Sequence, residues 1–284
     1  MRLPLVVLCC CWLASLSARG EDAPVENRNR DLALELTTKA ARTYQFRLAA
    51  PAAAAESPEG SEGEIVLREH PILRWSNPER GEIYGNVFLW TRNGRPVVAG
   101  SLFKWYSPHQ HMSHEFHSLA TTGLTAERDG AEIWNVESSG VTYAPVPDAP
   151  EVADSPSARL TQMRQLSRQF SARATQRDGQ PSDLRLLTQP VYRYDLKPTE
   201  GKGSALIDGG LFCFVEGTDP ELWLLLEAQR SKAATAPVWR YAVARMNSIV
   251  VEVQHQDKVI ARFDTIPWRE VYGHKQPYTS FRFD

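Results

Sequence analysis

Four of the seven histidines in this 284-residue chain lie in one short stretch, His-Gln-His-Met-Ser-His-Glu-Phe-His, at residues 109 to 117. Imidazole and carboxylate groups bind zinc or iron, and imidazole also transfers protons near neutral pH. The stretch is therefore a candidate metal, ligand-binding or acid–base site. Its neighbours have strand-like sequences, and side chains alternate along a strand. The polar side chains predicted to share one face are His109, His111, Glu115 and His117.

The spacing within this face limits which side chains meet. Residues two apart on a strand face are roughly 6 to 7 Å apart, so Glu115 and His117 can approach one ligand. By the same rise His111 and Glu115 are about 13 Å apart, and a metal site using both requires a bulge or a bend. We therefore predict Glu115 and His117 as ligand-binding residues. The opposite face, with Met112, His114 and Phe116, is predicted to pack inside. The alternative is a polar strand face without any site.

The spacing His-x-His followed by Glu four residues later resembles the first motif of the cupins, in which two histidines and a glutamate hold a catalytic metal on a β-barrel. This resemblance implies that His109, His111 and Glu115 would be ligands for zinc or iron. Two features depart from the pattern: Gly123 stands one place after the expected closing glycine, and no second motif supplies the last histidine.

Other catalytic signatures are absent from the sequence. It contains no Gly-x-Ser-x-Gly elbow, no P-loop and no dinucleotide-binding glycine pattern. We expect an exported, non-enzymatic binding or interaction protein with a protein or glycan partner. The alternatives are a metal-dependent enzyme, cupin-like or hydrolytic, that uses residues 109 to 117, and a carbohydrate-binding module. The tryptophans available for stacking on sugars are Trp75, Trp90, Trp105, Trp134, Trp223, Trp239 and Trp268.

Residues 1 to 20 read as a cleaved secretory signal peptide. Arg2 precedes an apolar run that ends near Leu16 and is too short to span a bilayer, and small residues follow it. We expect a secreted or periplasmic protein without a later transmembrane segment. Removing Arg2 and Arg19 leaves 30 basic and 34 acidic residues, a net charge of −4 that argues against nucleic-acid binding. Cys213 is then the last cysteine, so packing must hold the fold without an internal disulfide.

The predicted fold class is α+β and mainly antiparallel β, either a sandwich or an open barrel-like sheet, with an N-terminal helix and one Arg-rich amphipathic helix. The helix is predicted at Asp31 to Ala41, and the alternating residues that follow predict a strand at 44–48. Residues 21 to 284 are expected to form one domain. It includes an exposed loop at 49–63 and a Pro-rich connector at 144–157.

Asn93-Gly94 predicts a β-hairpin, since both residues accept the positive φ angles of a type I′ turn. Pairing Arg92 with Arg95 would place Trp90 opposite Val97 on one face. Apolar residues near this turn occupy both faces, so the hairpin should be covered on both sides. The residues predicted to share the face of Trp90 are Phe88, Val97, Ala99, Phe103 and Trp105.

An Arg-rich helix is predicted after the connector, capped by Ser155 or Ser157. The apolar residues that recur at steps of three to four are Leu160, Met163, Leu166, Phe170 and Ala174. The other faces are basic and read either as solvated surface or as a contact for an anion or a membrane surface. The candidate anion contacts are Arg159, Arg164, Arg168 and Arg173.

The last third predicts strands again. Residues 211–215 and 222–226 form a hairpin, although Asp219-Pro220-Glu221 could instead begin a helix over 222–229. Further on, three linked antiparallel strands are expected at 239–243, 249–253 and 259–263. Cys213 lies in an apolar run and is predicted to be a buried hydrophobe.

Most of the chain, roughly residues 31 to 265, resembles a group of exported proteins from planctomycete-type bacteria. The resemblance implies export and a bacterial host, and it implies no activity or functional residue. The segments that resemble the group are LRWSNPERGEIYGNVFLWTRNGRPVVAGSLFKW, SHEFHSLA, EGTDPELWLLLEAQ and WRYAVARM.

Overall fold

The structure, a computed structural model, describes residues 25–49, 63–196, 205–230 and 236–283. The predicted signal peptide at 1–20 and most of the predicted loop at 49–63 lie outside these residues. Within them, antiparallel strands dominate, as the sequence predicts, and three helices are present, of which the sequence predicts the first two. The helices are α1 (Val25–Ala41), α2 (Pro156–Ser167) and α3 (Trp268–Val271). None of the helices described is long and apolar enough to cross a membrane.

The strands form three antiparallel sheets. Those of the first half are β1 (Tyr44–Leu48), β2 (Ile65–Leu67), β3 (Leu73–Ser76), β4 (Glu82–Arg92), β5 (Arg95–Ser107), β6 (Met112–Ser118), β7 (Leu124–Arg128), β8 (Ala131–Val136) and β9 (Ala144–Pro145). Those of the second half are β10 (Phe170–Thr175), β11 (Pro181–Leu186), β12 (Tyr192–Arg193), β13 (Leu206–Glu216), β14 (Asp219–Gln229), β15 (Val238–Arg245), β16 (Val250–His255), β17 (Lys258–Phe263) and β18 (Tyr278–Phe283).

A six-stranded sheet lies in the middle of the molecule, in the order β18-β6-β5-β4-β2 with β3 beside β4. One face packs against α1 and the three-stranded sheet β1-β7-β8, where Phe88, Trp90 and Phe116 are buried. The other face packs against a nine-stranded sheet around Trp75, Trp223 and Leu225. The nine-stranded sheet runs β17-β16-β10-β11-β13-β14-β15-β9, with β12 beside β13, and curls as a half-barrel.

The β4–β5 hairpin has the predicted turn, with positive φ at Asn93 and Gly94, and Arg92 pairs with Arg95. The predicted register beyond the turn is wrong. A bulge between Trp90 and Thr91 places Trp90 opposite Val98 instead of Val97. An extra residue in one strand reverses the faces of all that follow it. Phe88 and Trp90 therefore face the three-stranded sheet, whereas Ala99 and Phe103 face the nine-stranded sheet.

Helix α2 begins as predicted but ends earlier. Its apolar residues pack beneath the half-barrel, where Met163 and Leu166 are buried. The predicted helical pattern ran on to Ala174, yet residues 170–175 form strand β10 between β11 and β16. Phe170, Ala172 and Ala174 are also spaced two apart, and pairing on both sides favours the strand.

The β13–β14 hairpin is present, so the helical alternative for residues 222–229 is wrong. The three strands predicted after it are present and the last two pair with each other, but the predicted pairing of the first with the second is wrong. β15 pairs with β14 and β9, whereas β16 pairs with β10 and β17. The segment between β15 and β16 crosses to the other arm of the half-barrel. The buried Arg245 holds this crossover, because its guanidinium donates to the carbonyls of Asn247 (2.8 Å), Asp264 (2.7 Å) and Ile249.

Ser155 caps α2, since its Oγ accepts the Ala158 backbone N–H at 3.2 Å. Replacing Ser155 by alanine leaves this N–H without its cap, and we expect the free energy of unfolding to fall by about 1 kcal/mol. Urea unfolding measures the change. The exposed Ser138→Ala is the control and should unfold like the wild type. Equal stability of Ser155→Ala and wild type would contradict the cap.

Candidate functional site

The histidine stretch forms strand β6 only from Met112 onwards, and β6 lies between β5 and β18. Its side chains alternate as predicted. His114 and Phe116 face the three-stranded sheet, where His114 Nδ1 lies 2.6 Å from the Tyr44 hydroxyl. Burial lowers the pKa of His114 to about 3, so its ring is neutral. Ser113, Glu115 and His117 face the other way, toward the nine-stranded sheet.

A cleft of about 770 Å³ opens where these two sheets separate at one end of their shared core. Its wall on the six-stranded sheet comes from β6 and β18, and its opposite wall comes from β14 and the β15–β16 crossover. Acidic, hydroxyl and aromatic groups line it. The polar residues that line it include Arg80, Ser113, Glu115, Arg177, Asp219, Glu221, Asn247, Tyr278 and Ser280.

Glu115 lies on the β6 wall, half-buried and directly across from Ser280 of β18. Burial raises the pKa of Glu115 to about 8, and the negative charge of Asp219 adds to the shift. The neighbouring Tyr278 hydroxyl favours the ionised form of this carboxyl group and so acts to lower its pKa, which offsets only part of the shift. At neutral pH this side chain is therefore mainly a neutral carboxylic acid, which can donate a proton or a hydrogen bond.

Asp219 and Glu221 lie on the opposite wall. They continue the inner face of β14 that Trp223 and Leu225 form within the core. Burial raises the pKa of Asp219 to about 7, whereas an amide donor, Asn77 Nδ2 at 3.2 Å, and the charge of Arg80 oppose the shift.

Glu221 is still more buried than Asp219. Burial and the charge of Asp219 raise its pKa well above the ordinary value, while Asn247 Nδ2 donates to its Oε2. The cleft is thus lined by three carboxyl groups, those of Glu115, Asp219 and Glu221, each in a different environment.

Two serines complete the β6–β18 wall. Ser113 is 8% exposed and Ser280 is 5% exposed, and both line the cleft beside Glu115. Their side-chain hydroxyls can donate and accept hydrogen bonds, and a ligand that enters the cleft can reach them.

Aromatic side chains form the rim of the cleft. Trp268 and Tyr272 are 55% and 45% exposed, and their rings stack with centroids 6.2 Å apart. The Arg177 guanidinium lies over the Trp268 ring, 4.3 Å from its centroid, and bonds Ser248 Oγ at 3.1 Å. Trp105 lines the same space. The cleft thus combines flat apolar surfaces with groups that bond hydroxyls.

The predicted site residues are placed as follows. Glu115 lies in the cleft and His111 also lines it. His117 lies behind the cleft, buried, with Nε2 3.3 Å from the Gly140 carbonyl, and burial lowers its pKa to about 3. His109 is exposed and packs on Trp105 at 5.0 Å. No three His, Cys, Asp or Glu side chains in the described ranges are placed to hold a metal ion.

The candidate anion contacts do not form one basic face. Arg159 is buried against Asp208 at 2.8 Å, and Arg173 lies on β10, where it bonds Asp183 at 2.7 Å. Arg164 and Arg168 lie at the end of α2. Two of the four thus pair with carboxylates of the chain itself.

Comparisons with protein-family models, with curated proteins and with solved structures found no match. The resemblance to planctomycete exported proteins stays a prediction. The cleft itself is the basis on which a function can be proposed.

Sequence reasoning missed the opposite wall of the cleft. Asp219 and Glu221 were assigned to the connection between two strands, whereas both belong to β14. A signal existed, because these residues extend the two-residue period of Trp223 and Leu225. The contribution of Tyr278 had no local signal, since β18 reaches β6 from the far end of the chain.

Proposed function

We propose that this protein binds a carbohydrate in the cleft between the two large sheets. The observation on which this rests is one cleft that combines an exposed aromatic pair, Trp268 and Tyr272, with the serine hydroxyls of Ser113 and Ser280. Sugars present apolar ring faces that stack on aromatic rings and hydroxyls that bond polar side chains. The space of about 770 Å³ has room for a ligand of one to a few sugar rings.

The ionisable groups of the cleft support a neutral sugar over an acidic one. Three carboxyl groups, those of Glu115, Asp219 and Glu221, face the space. The nearby Arg80 is already engaged with Glu216 at 3.4 Å. An anionic sugar would meet like charge wherever these groups are ionised. The expectation of export, based on residues 1 to 20, is part of the same proposal and would place the protein among extracellular or periplasmic glycans.

Replacing Trp268 by alanine is expected to weaken binding of the carbohydrate at least tenfold, because a stacking surface at the rim is lost; tenfold corresponds to about 1.4 kcal/mol. A glycan array identifies the ligand for the wild type, and titration calorimetry with that glycan measures the loss. Val66→Ala removes an equally exposed apolar side chain from β2, away from the cleft, and should bind like the wild type.

Unchanged affinity of Trp268→Ala would exclude the rim as the binding surface. Failure of the wild type to bind any glycan would overturn the proposal. Trp268 is half exposed, so its replacement should leave thermal stability nearly unchanged.

A further inference from the structure

We propose that the cleft also hydrolyses a glycosidic bond, with Glu115 as the general acid and Asp219 as the general base. This inference rests on the proposed carbohydrate binding and goes beyond it. Hydrolysis of a glycoside needs two carboxyl groups on opposite sides of the scissile bond, one of which donates a proton while the other accepts one. The opposed walls of this cleft supply one carboxyl group each.

The placement of the pair follows from the two sheets. Glu115 projects from β6 of the six-stranded sheet toward the nine-stranded sheet. Asp219 projects from β14 of the nine-stranded sheet toward the six-stranded sheet. The sheets separate at this end of their shared core, and the resulting cleft of about 770 Å³, which both carboxyl groups line, has room for a sugar and a water molecule.

The surroundings of Glu115 suit a general acid, and those of Asp219 suit a general base. Burial and the negative charge of Asp219 favour the protonated form of Glu115, and the Tyr278 hydroxyl offsets only part of this effect. Asp219 has the Asn77 amide at 3.2 Å and the charge of Arg80 nearby, both of which favour the carboxylate. Glu221, behind Asp219, is held by Asn247 and is more buried.

The step balances without a metal or a redox partner. Glu115 transfers its proton to the glycosidic oxygen as the bond from that oxygen to the anomeric carbon breaks. A water oxygen forms the new bond to the anomeric carbon, and Asp219 takes the proton that this water loses. The products are a free sugar and an alcohol. Solvent then carries the proton from Asp219 back to Glu115. Ser113 and Ser280 bond sugar hydroxyls beside the acid.

The test uses the full chain after expression, with 4-nitrophenyl and methyl glycosides of common pyranoses as substrates. The 4-nitrophenolate leaves without protonation, whereas methoxide does not. Glu115→Gln should therefore lose at least a hundredfold in kcat on methyl glycosides and much less on 4-nitrophenyl glycosides. Asp219→Asn should lose at least a hundredfold on both. Glu137→Gln, exposed on a loop away from the cleft, should hydrolyse both at the wild-type rate.

The outcomes separate this proposal from carbohydrate binding. Suppose that the wild type binds a glycan through Trp268 and yet hydrolyses none of the glycosides. That result would overturn the proposed hydrolysis but not the proposed carbohydrate binding. Equal losses of Glu115→Gln on both leaving groups would overturn its role as the acid. Retained binding of the product monosaccharide by both variants, measured by calorimetry, shows that the cleft is intact and that any loss is chemical.

Discussion

Replacing Gly94 by alanine is expected to destabilise the protein by on the order of 3 kcal/mol or more, whereas Gly130→Ala should cost about 1 kcal/mol. Both glycines have positive φ, +83° and +79°, so both variants incur the same backbone strain. A Cβ on Gly94 would lie 1.8 Å from the Asp195 carbonyl oxygen, while one on Gly130 meets nothing within 4 Å. The difference in stability between the two variants therefore measures the cost of the contact between the added Cβ and Asp195.

The Asp195 backbone beside Gly94 cannot move away without breaking hydrogen bonds. The Tyr192 hydroxyl donates to the Gly94 carbonyl at 2.8 Å and accepts the Asp195 backbone N–H at 3.1 Å. These bonds join the hairpin tip to the segment after β12. Urea unfolding of the two variants measures both costs. Equal destabilisation would mean that the segment moves aside and that only the φ angle matters.

We expect the pH dependence of stability to change when Glu115 is replaced by glutamine. The free energy of unfolding of Glu115→Gln minus that of the wild type should be about 2 kcal/mol larger at pH 8.5 than at pH 6.5. The folded-state pKa of Glu115 is about 8 and the unfolded value is about 4.5, so between these values the folded chain keeps a proton that the unfolded chain releases. Stability is thus lost as pH rises toward 8. Glutamine cannot ionise and removes this contribution.

The pH window is chosen because the buried histidines do not interfere. His114 and His117 have pKa values lowered to about 3 by burial, so their destabilising effect develops only as pH falls below about 6.5. Asp219, with its raised pKa, still contributes to the slope in both proteins. Urea unfolding at pH 6.5, 7.5 and 8.5 gives the comparison, with Glu137→Gln as the matched change at an exposed site. Parallel curves for Glu115→Gln and wild type would show that Glu115 is ionised in the fold.

Much of the architecture could be predicted because it depends on local chemistry. The turn at Asn93-Gly94, the strand alternation through residues 112–118 and the cap at Ser155 each follow from a few adjacent residues. The errors come from partners that are distant in sequence. Residues 170–175 fit a helix by spacing, and the decision for a strand comes from β11 and β16. The face reversal in β4 and β5 comes from one bulge that leaves no clear mark in the sequence.

The candidate site divides in the same way. The sequence singles out Glu115 among the histidines, and this residue lies in the cleft. The histidines themselves have mainly structural contacts, since His114 bonds Tyr44 and His117 approaches Gly140. Asp219 lies 104 residues beyond Glu115 in the numbering, and only the packing of one sheet on another brings the two to a shared space. No spacing rule connects them.

The hydrogen bonds between Thr218 and Ser76 join the two sheets one residue before Asp219: the Ser76 N–H donates to Thr218 Oγ1 at 3.0 Å, and that hydroxyl donates back to the Ser76 carbonyl at 2.7 Å. Such a cross-link ties the two walls together beside the cleft and limits how far the opening can widen. The molecule should therefore discriminate ligands by thickness instead of adapting to them, and a Thr218→Val variant would become more permissive.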